Sequence, residues 1–180
     1  MQDRIKNLIK SLEYRKYPIS KGLNNNEIEY INSKLKSPLP KECSDLLLSF
    51  DWPDDGVDIE PIVIEENPLI GEIVFTSFTP GLKLPEKTIE CQENLHWWKV
   101  LQPEDFIRKD GPIKPTIYDE NRIFFSYGYD IYWFIDLNPE NGGNIGQIAL
   151  LYPMYQEHYI KVVAPSMMDF IEMFARKLGL

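Results

Sequence analysis

Three strand-forming segments follow one another between residues 122 and 152: RIFFSY, DIYWFIDL and IGQIALLY. All three are rich in the β-branched and aromatic residues that favour strands. YGYD separates the first two segments and NPENGGN the last two, and connections this short join antiparallel neighbours. This pattern constrains the fold most, because it predicts an antiparallel meander as the central sheet.

Apolar residues at three- and four-residue spacing predict four helices around this sheet. Three of them precede residue 51, and the fourth closes the chain. Their apolar faces run through Ile5–Leu12, Ile28–Leu35, Cys43–Phe50 and Met167–Leu178.

Polar residues mark where two of these helices begin. Asn24 or Asn25 suits the N-cap of the second helix, and Ser166 followed by Asp169 suits the start of the last. Pro40 fits the first turn of the third helix. Helices followed by strands and a closing helix indicate an α+β fold. A length of 180 residues fits one domain covering 1–180.

The middle of the chain is less regular. VDIEPIVI and GEIVFTSF are two further strand candidates. Five prolines between residues 80 and 122 predict mainly loops with strand or 3-10 pieces, and HWWKVL is expected to be a short strand. This region is also a candidate family-specific insertion. If HWWKVL is a strand, Trp97 and Trp98 point to opposite faces, so one of them is a candidate exposed anchor.

The segment NPENGGNIGQIAL, residues 138–150, resembles a phosphate-binding loop at first sight. In such loops the glycines follow a strand and open a helix, whose N-terminus binds the anion. Here they open another strand, and no Lys or Arg lies between residues 123 and 160. We therefore expect a turn in which Gly142 and Gly143 have positive φ.

The distribution of charge points to a basic partner. The net charge is −9, which argues against nucleic acid and anionic membranes as partners. No base lies between Lys41 and Lys83, whereas ten acids do. We expect this segment to meet a basic protein, with charge complementarity favouring association, although a solvated surface is the alternative. The candidate partner-binding residues are Asp54, Asp55, Asp58, Glu60, Glu65, Glu66, Trp97 and Trp98.

No set of residues predicts catalysis, a metal or a cofactor. DWPDDGVDIE fails as an EF-hand loop because Pro53 and Ile62 fall at ligand positions. Cys91 and His96 are a loose nucleophile–base or zinc pair at most. Two cysteines without a C-x-x-C motif, and an N-terminus without a signal-peptide core, lead us to expect a cytoplasmic protein.

The chain resembles the SUKH superfamily, the Smi/Knr-type domain, at both ends. YDIYWFIDLNPENGGNIGQIALL followed by VVAPSMMDFIEMF is similar to the family's D-L-x-P turn, x-G-Q-I/V strand and capped helix. LPKECSDLLLSF is similar to its L-P-x-x-Y-x-x-F-L segment, with Cys43 in place of the aromatic and DWPDDG in place of the usual Asn-Gly. Residues 80–122 match nothing in the family pattern.

This resemblance implies a binding protein without catalysis or a cofactor. Bacterial members are often immunity proteins that neutralise a toxin, commonly a nuclease, by binding it. Fungal relatives regulate cell-wall synthesis. The sequence thus favours toxin immunity, with a regulatory scaffold in envelope synthesis as the alternative and a hydrolase as a third reading.

Overall fold

In the computed structural model, the description covers residues 2–14, 19–51, 62–68, 71–101, 107–153, 158–177 and 179. For residues 2, 14 and 97–101 it covers the backbone alone. The helices are α1 (Gln2–Tyr14), α2 (Asn25–Lys34), α3 (Lys41–Ser49), α4 (Leu84–Leu101) and α5 (Met167–Lys177), with a 3-10 turn at Gly81–Lys83.

The strands form three sheets. Two are small antiparallel pairs: β1 (Ser20–Lys21) with β2 (Phe50–Asp51), and β3 (Ile62–Asn67) with β4 (Gly71–Phe75). The central sheet has five strands in the order β5-β9-β8-β7-β6. Its members are β5 (Ile107–Asp110), β6 (Arg122–Gly128), β7 (Ile131–Asp136), β8 (Gln147–Tyr152) and β9 (His158–Ala164).

The predicted meander and the α+β class are confirmed. Strands β6, β7 and β8 are antiparallel neighbours, and β9 continues the pattern. The sequence did not predict β5, which pairs with β9 in parallel and makes the sheet mixed. A parallel pair needs a long connection, so a four-residue strand some 50 residues earlier leaves no local signal.

Helices cover both faces of the sheet. On one face, α1, α2, α3 and α5 form the main core with the β3–β4 hairpin and with inward residues of β6, β7 and β8. Aromatic rings fill its centre, where the Phe75 ring centroid lies 5.4 Å from that of Trp133 and 5.3 Å from that of Phe170. On the other face, α4 packs with residues 113–117 against Phe124, Tyr132 and Phe134. Every residue of β7 is consequently buried.

The prediction of a short strand at HWWKVL is wrong, and so is that of loops for residues 84–101, since these residues form helix α4. The 3-10 turn at Gly81–Lys83 and the loop at residues 111–121 agree with the prediction for this region. Thr88, Cys91 and Leu95 are buried at helical spacing and face the sheet, whereas Leu84 at the start of the helix joins the main core. Pro85 lies in the first turn, where proline is compatible with a helix. Packing of this face outweighs the β-propensity of the two tryptophans. That packing is provided by the second face of the sheet, for which the sequence predicted no covering helix.

The predicted helix starts are confirmed at two positions. Asn24 caps α2 with a reciprocal pair: the Glu27 N–H donates to Asn24 Oδ1 at 3.1 Å, and the Asn24 N–H donates to Glu27 Oε2 at 2.7 Å. At α5 the Asp169 N–H donates to Ser166 Oγ at 3.2 Å. These local contacts fix where the two helices begin.

The β3–β4 hairpin lies across one end of the sheet. At its open end, Thr76 follows β4 and lies so close to Gly128 that a Cβ on that glycine would be 2.7 Å from Thr76 Oγ1. At its closed end, Asn67 Nδ2 donates to Tyr159 Oη at 3.0 Å. The hairpin therefore spans from β6 to β9, with one face on the core and the other turned outward.

Candidate partner-binding surface

The glycine-rich loop is a connection between β7 and β8, as the sequence predicts. Gly142 has a φ of 94°, and Gly146 has a φ of 92°. The expectation of positive φ is wrong for Gly143. This position requires glycine for a steric reason, because a Cβ there would lie 2.6 Å from Pro139 Cβ and 2.7 Å from Pro112 O. The Gly143 and Gly146 N–H groups donate to the carbonyls of Glu140 and Asp136. They close the turn instead of pointing at an anion.

The acidic and amide residues of the D-L-x-P and G-Q-I motifs meet at the base of this loop. Asp136 and Gln147 are paired in register, and Gln147 Nε2 donates to Asp136 Oδ2 at 3.0 Å and to Pro112 O at 3.1 Å. The Asn138 N–H donates to Asp136 Oδ1 at 3.1 Å. Burial raises the pKa of Asp136 despite these donors and the positive charge of Arg122. The motif thus serves to hold the loop and residues 112–113 against the sheet.

Arg122 reinforces the same end of the sheet from within the core. Its guanidinium donates to Thr116 O at 2.6 Å and Lys114 O at 3.0 Å, and it lies 4.7 Å from the centroid of the Phe134 ring. Only 1% of the residue is exposed. Because carbonyl oxygens occupy its donors, this charge fixes the 114–117 segment and is not presented to a ligand.

Four of the acids in the base-free segment are engaged within the chain. Glu42 Oε1 accepts from the N–H of Met168 at the start of α5 at 2.8 Å, and the buried Asp51 accepts from the Gly81 N–H at 2.9 and 3.0 Å. Asp45 pairs with Lys41 at 2.6 Å. Glu65, a predicted partner-binding residue, lies 2.6 Å from Lys161 Nζ. These carboxylates therefore stabilise the fold or are neutralised.

Glu66, also predicted, is arranged differently. It is exposed and lies directly opposite Glu72, which is exposed as well, in the register of the β3–β4 hairpin. Like charges directly opposite each other destabilise an antiparallel pair. Val63 is exposed as well, whereas Val74, its partner in the register, is buried in the main core. This face, defined by Glu66, Glu72 and Val63, is called the acidic hairpin face below.

Four further predicted site residues belong to the segment between β2 and β3. Asp54, Asp55, Asp58 and Glu60 lie outside the described residues. The segment that holds them follows Asp51, which accepts from the Gly81 N–H, and precedes Ile62, which pairs with Phe75 at the open end of the hairpin.

The expectation that Trp97 and Trp98 point to opposite faces of a strand is wrong, because both residues belong to helix α4. Neighbouring residues on a helix are separated by about 100°, not by the 180° of a strand. Their side chains lie outside the described residues.

An aromatic turn adjoins the acidic hairpin face. Tyr129 and Asp130 connect β6 to β7, and Tyr129 is 63% exposed. Gly128, the residue before them, contacts Thr76 at the end of β4. YGYD between two strong strand segments is the signal that assigns Tyr129 to a turn, but its exposure depends on packing.

The cysteine and histidine candidates are not brought together. Cys91 and His96 lie five residues apart on α4, a rotation of about 140°, with Cys91 buried against the sheet and the His96 ring centroid 6.0 Å from that of Tyr118. Burial raises the pKa of the Cys91 thiol to about 12, so it is not a thiolate nucleophile at neutral pH. Within the described part of the chain, no three His, Cys, Asp or Glu residues form a metal-binding group. None of the described helices has the length and apolar character needed to cross a bilayer.

The fold and this surface define an α+β protein with an acidic, partly aromatic face at one end of its sheet. No protein-family model matches the chain, and comparison with curated proteins finds no relative.

Proposed function

We propose that this chain is a non-enzymatic, SUKH-like binding protein, and that it acts as an immunity protein that neutralises a basic toxin domain by binding it. The observation that carries the proposal is the exposed Glu66–Glu72 pair. Two carboxylates opposite each other cost stability in the free protein. A basic partner removes that repulsion, so the arrangement favours the bound state.

The surrounding charge supports the same partner. The first 50 residues carry a net charge of +3, which leaves −12 for the remainder. Lys161, which reaches the same hairpin, already pairs with Glu65. A surface of one sign speeds encounter with an oppositely charged cleft and disfavours partners of the same sign. Nucleases carry such basic clefts, because they bind phosphate backbones.

The SUKH resemblance supports a binding role through the arrangement of its motif residues. Asp136 and Gln147 are hydrogen-bonded to each other and to backbone groups, as scaffold residues are. A catalytic reading would need such groups at an open cleft, within reach of a substrate. Their buried position favours a domain in which this motif stabilises the loop while the outer surface binds the partner.

The test uses charge reversal and a basic toxin domain encoded beside the gene for this chain. Replacing Asp54, Asp55 and Asp58 with Lys, or Glu66 and Glu72 with Lys, should weaken binding at least tenfold, since like charges across an interface cost several kcal/mol. Binding is measured by titration calorimetry and protection by growth of cells that express the toxin domain.

The matched control replaces Glu13 and Glu29, exposed acids on α1 and α2, with Lys. It changes the net charge as much as the hairpin double variant does, but at a different surface. The proposal fails if the control and the hairpin variant bind alike, or if wild-type protein neither binds nor protects. Raising the salt concentration should slow association of the wild type, because charges are screened over about 8 Å at physiological ionic strength.

A further inference from the structure

The turn between β6 and β7 contains a residue that its backbone does not favour. Tyr129 has a φ of 53° and Asp130 a φ of 61°. Positive φ at both central residues defines a type I′ turn, for which Asn and Gly are preferred. Asp tolerates this conformation, whereas a bulky side chain does so rarely. The requirements of the turn therefore do not explain the tyrosine at position 129.

Two tyrosines in and beside this turn, Tyr129 and Tyr127, are both exposed and are called the aromatic platform below. Tyr129 is 63% exposed, and Tyr127 is 38% exposed with its ring centroid 4.4 Å from that of Tyr132. Tyr127 Oη donates to Asp130 Oδ1 at 3.4 Å, which holds the carboxylate next to the rings. Tyrosine is enriched among residues that dominate binding at interfaces, because it combines a large apolar area with few rotatable bonds.

The turn and the hairpin beside it carry negative charge. Asp130 belongs to the turn itself, and Glu72 lies four residues before Thr76, about 13 Å along the strand from the contact with Gly128. The two stretches of chain that meet here, residues 42–82 and 123–160, contain no Lys or Arg. A cationic side chain is the complementary occupant. Arginine suits it best, because a guanidinium stacks on an aromatic ring and binds a carboxylate with two donors.

We propose that Tyr129 and Asp130 are the anchor point that receives an arginine side chain of the basic protein partner. This inference rests on the proposed function, since it takes the same basic domain as the partner. It adds the position of the contact and the residue type recognised. Tyr129 thereby serves binding at the expense of turn stability.

The experiment titrates the full-length, 15N-labelled chain with acetylated hexa-arginine at low salt and follows backbone amide shifts. We expect the largest shifts at Gly128–Ile131, with smaller ones on β3 and β4. Tyr129→Asn should weaken binding about two- to fivefold, the range of an exposed cation–π contact, while Tyr129→Phe should bind as the wild type does. Hexa-lysine should bind more weakly than hexa-arginine.

Tyr30→Ala is the matched control. Tyr30 is also an exposed tyrosine, at 49%, but Lys34 Nζ already lies 5.6 Å from its ring centroid. This variant should bind hexa-arginine as the wild type does. Thermal unfolding gives a second readout, in which Tyr129→Asn should raise Tm by about 2–4 °C because Asn adopts the left-handed conformation more readily.

Several results would overturn the anchor. They are unchanged binding by Tyr129→Asn, equal binding of hexa-lysine, shifts centred away from the turn, or no binding by the wild type. These failures leave the proposed function standing if the hairpin charge reversals still abolish binding of the toxin domain. Conversely, a wild-type chain that binds hexa-arginine at Tyr129 but not the toxin domain would refute the immunity role and retain an arginine-binding turn.

Discussion

Replacing Glu66 with Lys should stabilise the free protein. The Cβ atoms of a directly opposed antiparallel pair are about 5 Å apart, which places the carboxylates of Glu66 and Glu72 near 6 Å from each other in solvent. Two like charges at about 6 Å repel by roughly 0.7 kcal/mol in water, and screening at physiological salt reduces this to about half. Reversing one charge turns the repulsion into an attraction of similar size, so we expect a gain of about 1.4 kcal/mol at low salt and about 0.7 kcal/mol at physiological salt.

The assay is thermal and urea unfolding of a double-mutant cycle. Glu66→Lys and Glu72→Lys alone should each raise Tm by about 2–3 °C, whereas the double variant restores like charges and should return to the wild-type value. Glu13→Lys on α1 is the control for net charge, which itself becomes less negative in each variant. The coupling energy of the cycle isolates the pair from that general effect.

Two outcomes would refute this reasoning. If the double variant is as stable as either single variant, net charge accounts for the gain and the pair is not repulsive. If neither single variant is stabilised, or if added salt leaves the coupling unchanged, the two carboxylates do not interact through solvent as the register implies.

Two remaining predictions concern the glycine loop and acid stability. Gly143→Ala should destabilise the protein by about 1–3 kcal/mol in urea unfolding, since its Cβ would lie within 2.9 Å of Pro139, Pro112 and Gln147, whereas Gly142→Ala has open space and should cost only about 1 kcal/mol for its positive φ of 94°. Equal costs would show that sterics do not distinguish the two glycines. Burial lowers the pKa of His158, so its contribution to stability is complete above pH 6.5 and is lost as pH falls through the folded-state pKa. Denaturation followed from pH 7.5 to 5 should show a smaller decline for His158→Gln than for the wild type, and parallel profiles would contradict this assignment.

The sequence alone determined the elements that depend on local interactions. Asn24 and Glu27 sit three residues apart and cap a helix with each other, and the strands on either side of residues 129–130 and 137–146 pair because short connections leave antiparallel pairing as the only option. The class of fold followed from these elements. The acidic surface was predicted as a stretch of chain, but not as a set of exposed side chains.

Tertiary structure decided what depends on partners distant in sequence. Helix α4 forms because a sheet face is available to Cys91 and Leu95, and local propensity carries no information about that face. The same holds for Glu65 and Glu66, adjacent acids with similar local surroundings. Glu65 shares the inner face with Ile73 and pairs with Lys161, which is 96 residues away, whereas Glu66 faces outward opposite Glu72. Which acid is neutralised and which is available to a partner is set by strand register and by a long-range ion pair, because successive side chains of a strand point to opposite faces.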